Sequence, residues 1–168
     1  GTPILGGTAS VDGDFHQTGL APRLARAVDS PPDELRIVDV LSLGQTGERP
    51  ETVTLTLDGD NGEMYPFTLR KKLELITEHL DWHDPELASD GPWGRPIVPF
   101  EMMSVITSSG AHAAGFVPRQ PSRGLFIDLE VRMLSGPVLV GHSYRLDREV
   151  VAFGSSRRTE SFWTLSTL

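Results

Sequence analysis

From Pro99 to Phe116 the chain carries a single charged side chain, Glu101. Met102, Met103, Val105, Ile106, Ala111, Ala113 and Ala114 make the rest of this run apolar or small. Its composition predicts one helix over Pro99–Phe116, with Glu101 in the first turn, where a carboxylate opposes the helix dipole. A helix this apolar cannot face water and has to be wrapped. Gly110 and the alanines permit close approach by a sheet or another helix. The remaining sequence must therefore supply a covering surface.

Strand patterns flank this run. Glu51–Leu57 alternates Val53, Leu55 and Leu57 with Thr52, Thr54 and Thr56, a period of two that gives one buried and one wet face. Further strands are expected at Leu35–Leu43, Leu125–Leu134, Gly141–Phe153 and Arg158–Leu168. The run Asp58-Gly59-Asp60-Asn61-Gly62 reads as a hairpin turn, with Met64–Leu69 returning beside the preceding strand. Short helices are expected at Ala21–Val28, with Pro22 in its first turn, and at Lys71–Leu80, where Leu73, Ile76 and Leu80 form a stripe. Pro85–Ser89 adds one more helical turn. This order describes an α+β fold, a curved antiparallel sheet around a central helix. Residues 1–49 read as a loop-rich lead-in, and residues 50–168 as the main domain.

Composition removes several function classes. A net charge of −8 and a pI near 5.0 argue against a nucleic-acid surface and against a polybasic membrane patch. No apolar run approaches the roughly 18 residues of a membrane span, and the first residues lack a signal-peptide pattern. With no cysteine, disulfides and thiolate chemistry are excluded. A cytoplasmic location is the expectation.

Chemistry-bearing residues crowd just ahead of the apolar run, at Asp81-Trp82-His83-Asp84-Pro85. His83 is either a general acid–base or a loop histidine bonded to a carbonyl. Asp81 and Asp84 either act beside it or cap local turns, Asp84 the more so because it precedes Pro85. The three are too close in sequence for a metal site, and no metal or other cofactor is expected. Trp82 and Trp93 either line a ligand slot or anchor their loop. Pro99, Phe100, Glu101, Met102 and Met103 lie where a slot would meet the helix, and the methionines suit core equally. Ser108, Ser109 and His112 lack a nucleophile-elbow turn and read as structural. Tyr144 is an interface or rim residue. Arg157 and Arg158 either meet a phosphate or form an exposed charged turn.

The segments His83–Ala88 (HDPELA), Gly94–Met103 (GRPIVPFEMM), Asp128–Leu134 (DLEVRML), Gly136–Tyr144 (GPVLVGHSY) and Gly154–Trp163 (GSSRRTESFW) resemble, in order, the MaoC-like branch of the hotdog superfamily. The resemblance implies a hotdog fold and a lyase that hydrates or dehydrates acyl-CoA or acyl-carrier-protein thioesters. It implies Asp81, His83 and Asp84 as catalytic candidates. Trp82, Pro99, Phe100, Glu101, Met102, Met103, Arg157 and Arg158 become substrate-binding candidates. It also implies a homodimer or pairing with a second hotdog unit. On the same scaffold a thioesterase, or a non-catalytic acyl-binding half, is the alternative. The family's D-x-N-P-x-H motif is shortened here, since Asp81 precedes His83 by two positions and no Asn-Pro step intervenes. Measured against that family, the chain stops one strand early, and its first 49 residues suggest the remnant of a preceding unit.

Overall fold

A computed structural model of the chain describes residues 19–61, 65–76 and 79–168. The elements in order are α1 (Leu20–Asp29), β1 (Glu51–Thr54), α2 (Leu69–Leu73), α3 (Met103–Ser108), β2 (Ser143–Ser155) and β3 (Glu160–Thr167), with single 3-10 turns at Asp81–His83, Ala88–Asp90 and Phe100–Met102. The class is α+β, mixed helix and strand with a three-stranded antiparallel sheet in the order β1-β2-β3.

β2 is the organising strand. Leu146, Arg148 and Val150 point inward and are buried, while Arg145, Asp147 and Glu149 face out. The register against β3 slips between Val150 and Ala152, which inserts one residue on β2. A bulge of this kind reverses side-chain parity beyond it. Phe153 is thereby brought into one cluster with Val150, alongside Val38, Leu41, Ala114 and Phe116. The lead-in thus contributes Val38 and Leu41 to packing against the later strands. A larger cluster joins Val53 and Leu55 to Leu69, Val98, Met102, Met103, Ile106, Val138, Val140 and Leu146. Met102 and Met103 lie in the centre of this core, 0% and 2% exposed.

Several sequence expectations meet a different outcome. The helix predicted over Pro99–Phe116 is a 3-10 turn, Phe100–Met102, followed by a six-residue α-helix. Ser109 leaves helical geometry and Gly110 adopts φ +74°, the left-handed conformation that ends helices. The apolar composition masked this stop signal. Leu35–Leu43 is a chain of turns rather than a strand. Three successive N–H groups there, of Arg36, Ile37 and Val38, donate to the Glu160 carboxylate at 2.8, 2.7 and 3.1 Å, which removes them from any ladder. Leu125–Leu134 is likewise not a strand. Alternation describes a strand only where a neighbouring backbone completes the ladder, and both flanks of β2 are occupied by β1 and β3. The alternation over Glu51–Leu57 survives in burial, but paired strand covers only Glu51–Thr54. The helix expected over Lys71–Leu80 is Leu69–Leu73, started by the Thr68 hydroxyl, which accepts from the Lys71 N–H. Of the Met64–Leu69 return, the described part from Tyr65 onward is not strand. Gly62, Met64 and residues 1–18 of the lead-in lie outside the described residues.

Glu160 makes the anchoring of the lead-in pH-dependent. Desolvation pushes its carboxyl up, but the bonds from Ile37, Val38 and Arg36 together outweigh that and the nearby Asp39, so the group titrates below the ordinary glutamate range. A lowered folded pKa stabilises above the unfolded value, about 4.3, and that contribution is lost as pH falls through the folded value. In an acid titration followed by NMR, the Ile37 and Val38 amide shifts should therefore move only below pH about 4.3. Glu160→Gln should leave them insensitive to pH there.

Gly154 shows how tightly the β2–β3 hairpin packs. A Cβ added to it would lie 2.9 Å from Ser161 Oγ and 3.0 Å from two ring carbons of Trp163. Replacing Gly by Ala in a strand ordinarily gains about 0.4–1 kcal/mol through the unfolded chain. Here overpacking against a rigid indole costs about 1–3 kcal/mol. Gly154→Ala is expected to lower the urea midpoint, and Gly154→Ala with Trp163→Leu to restore most of it.

Candidate functional site

The apolar core is closed below the helix by a short bridge. Ile97 pairs with Leu139, the Val98 N–H donates to the Val138 carbonyl at 2.7 Å, and the Val140 N–H to the Pro96 carbonyl at 2.9 Å. This fixes the loop before α3. The Ile97 N–H donates to the Trp82 carbonyl at 2.8 Å, and His83 Nδ1 lies 3.0 Å from the Ile97 carbonyl oxygen. A carbonyl only accepts, so Nδ1 carries the proton. In the neutral ring Nε2 then holds the lone pair. Nε2 has no hydrogen-bond partner among the described residues.

His83 borders a cleft of about 330 Å³. Leu57, Leu73, Ile76, Leu80 and Pro85 supply apolar wall, and Arg70, Glu74, His79 and Asp84 supply polar groups. Arg70 is committed to Asp58 by two bonds of 2.7 Å. Each partner holds the other charged: the carboxyl is drawn below its usual range and the guanidinium pushed up. The cleft is thus bordered by an imidazole whose Nε2 has no partner among the described residues, a feature that suits proton transfer.

The two aspartates of the sequence cluster diverge. Asp81 Oδ1 lies 3.2 Å from His79 Nε2, rather than against His83. Asp84 Oδ1 accepts from the Glu86 and Leu87 N–H groups at 2.7 and 3.3 Å, which caps the following turn. Trp82 and Trp93 stack edge to face at 4.9 Å, both partly exposed, with Gly91 against the Trp82 ring. Pro99, Met102 and Met103 are buried, whereas Phe100 is 59% exposed. Glu101 pairs with Lys72 across 3.0 Å, tying α3's entry to α2. Arg157 and Arg158 occupy the exposed β2–β3 turn. That turn and the His83 loop lie at opposite ends of β2, a 13-residue strand that spans roughly 40 Å if extended. Tyr144 accepts the Leu139 N–H on its hydroxyl at 2.8 Å, a brace for the bridge.

The sequence reading missed three participants. His79 was embedded in an expected helix. Glu160 falls within an expected strand. Arg148 occupies an inward position of β2 between Leu146 and Val150, and that parity was the available signal. Its guanidinium donates to Glu51 at 2.7 and 3.1 Å and to the carbonyls of Thr107 and Ser109 at the end of α3. Among the described residues no group of three or more His, Asp or Glu side chains is placed to hold a metal. No helix among them is long and apolar enough to cross a membrane. Compared with known proteins, the chain matches no family model, no curated protein and no solved structure.

Proposed function

We propose that the chain is an acyl-thioester hydratase or dehydratase of the MaoC-like hotdog type, acting on an acyl-CoA or acyl-carrier-protein substrate. The observation that carries this reading is His83: its tautomer is set by the Ile97 carbonyl, and it borders a largely apolar cleft beside the loop that enters α3. Hydration of a 2-enoyl thioester needs a base for water and a proton source for C2, next to apolar space for the acyl chain. Leu57, Leu73, Ile76 and Leu80 provide such space. The fold supports the hotdog reading through its antiparallel sheet packed against a buried α3, coarser features that other α+β folds share.

A non-catalytic acyl-binding half is the second reading. It is favoured by the engagement of Asp84 in its own turn and of Asp81 with His79, which leaves His83 without a carboxylate partner among the described residues. The deciding experiment is a panel of crotonyl-CoA hydration and acyl-CoA hydrolysis, with binding measured in parallel. Hydration supports the lyase; binding without turnover supports the second reading; hydrolysis alone moves the chain to the thioesterases.

The same proposal includes pairing with a second hotdog unit, in a homodimer or a hetero-pair. Leu125, Phe126, Ile127, Leu129 and Leu134 are 87, 68, 56, 53 and 81% exposed, a run of apolar surface of the sort that partners cover. Sedimentation of the chain at tens of micromolar, an order of magnitude that probes modest affinities, should show a dimer. A clean monomer there removes self-association and leaves only the hetero-pair.

A further inference from the structure

Two imidazoles border the cleft, His79 and His83, and their environments differ in one respect that bears on chemistry. His83 Nδ1 donates to a neutral carbonyl, and among the described residues no carboxylate pairs with this ring. His79 has the Asp81 carboxylate 3.2 Å from Nε2. His79 therefore has a carboxylate at ion-pair distance, and among the described residues His83 has none. With the Asp81 carboxylate at ion-pair distance from Nε2, Nδ1 is the ring's other proton-carrying atom.

We infer that His79, held by Asp81, is the second proton carrier of this cleft, delivering the proton to C2 of the acyl thioester while His83 serves the oxygen. The inference rests on the acyl-thioester reading above. In the hydration direction His83 Nε2 takes a proton from water as the water oxygen bonds to C3. The C2–C3 π pair moves onto C2 and takes the proton from the His79 imidazolium. The step leaves His83 protonated and His79 neutral, and exchange with solvent restores both. Dehydration runs the same transfers in reverse. Asp81 acts through His79 and is a positioning residue.

The test separates the two histidines by the atom each one serves. In D2O, deuterium entry at C2 of butyryl-CoA reports proton traffic at that carbon without any water addition. His79→Gln keeps an N–H to offer Asp81 but cannot relay a proton. It should lose C2 exchange and lower crotonyl-CoA hydration by about 10²-fold, the scale of a lost general acid–base group. Asp81→Asn should lower exchange less than His79→Gln does, and should shift the ring 15N resonances of His79. His79 is 66% exposed at its side chain, so circular dichroism of these variants should match the wild type. Wild-type hydration with undiminished C2 exchange in His79→Gln would overturn the assignment of His79 and leave His83 standing. A wild-type chain that neither hydrates crotonyl-CoA nor exchanges C2 would overturn the acyl-thioester chemistry and this assignment with it.

Discussion

Arg148→Ala is expected to lower the unfolding free energy by about 3–5 kcal/mol, the usual cost of removing one partner from a buried ion pair. The side chain is 3% exposed and its partner Glu51 12%. Deletion leaves the Glu51 carboxylate without its counter-charge and strips the carbonyls of Thr107 and Ser109 of their donor. Those carbonyls close the end of α3, which is only six residues long and has little intrinsic stability. Glu51 Oε2 also packs close to Gly110, where an added Cβ would lie 3.1 Å away. Against a typical total of about 5–15 kcal/mol, such a loss is a large share of the stability. Urea denaturation measures it directly. The double variant Glu51→Leu with Arg148→Met should lose less than Arg148→Ala, since it buries no unpaired charge, although the two carbonyls still lack a donor. A cost below about 1 kcal/mol for Arg148→Ala would place the pair among surface-like ion pairs and contradict this account.

Arg148 also shows where sequence reasoning succeeds and fails. The strands expected at Gly141–Phe153 and Arg158–Leu168 and the apolar positions Met102 and Met103 were legible, because period and composition act locally. The α+β class followed from the same signals. Leu125–Leu134 failed because alternation states which faces differ but says nothing about who supplies the ladder. Leu35–Leu43 failed because a carboxylate more than 120 positions away, Glu160, takes its N–H groups. Pro99–Phe116 was too long because hydropathy outweighed the Ser109-Gly110 stop. In the candidate site, the crowding of Asp81, His83 and Asp84 was visible, but their partners were not. Which aspartate meets which histidine depends on the geometry of one 3-10 turn, Asp81–His83, and a run of five residues does not encode that.

The His83 contact with Ile97 permits a sharper substitution than alanine. Asparagine can place an amide N–H near the position of Nδ1 and keep the bond to the Ile97 carbonyl, while nothing replaces Nε2. His83→Asn is therefore expected to fold like the wild type, with an unchanged urea midpoint, and to lower crotonyl-CoA hydration by about 10²-fold or more. His83→Ala removes both nitrogens, frees the Ile97 carbonyl and loosens the loop ahead of α3. It should lose comparable activity together with about 0.5–1.5 kcal/mol of stability, the net worth of an ordinary hydrogen bond. His83→Gln carries its amide at the opposite end, near Nε2, and should lose the structural bond without regaining proton transfer. Measured together, kcat and the urea midpoint separate a proton carrier from a loop brace. If His83→Ala and His83→Gln lose stability while all three variants hydrate at the wild-type rate, His83 is a brace alone. If His83→Asn keeps the midpoint and loses the rate, Nε2 carries the proton.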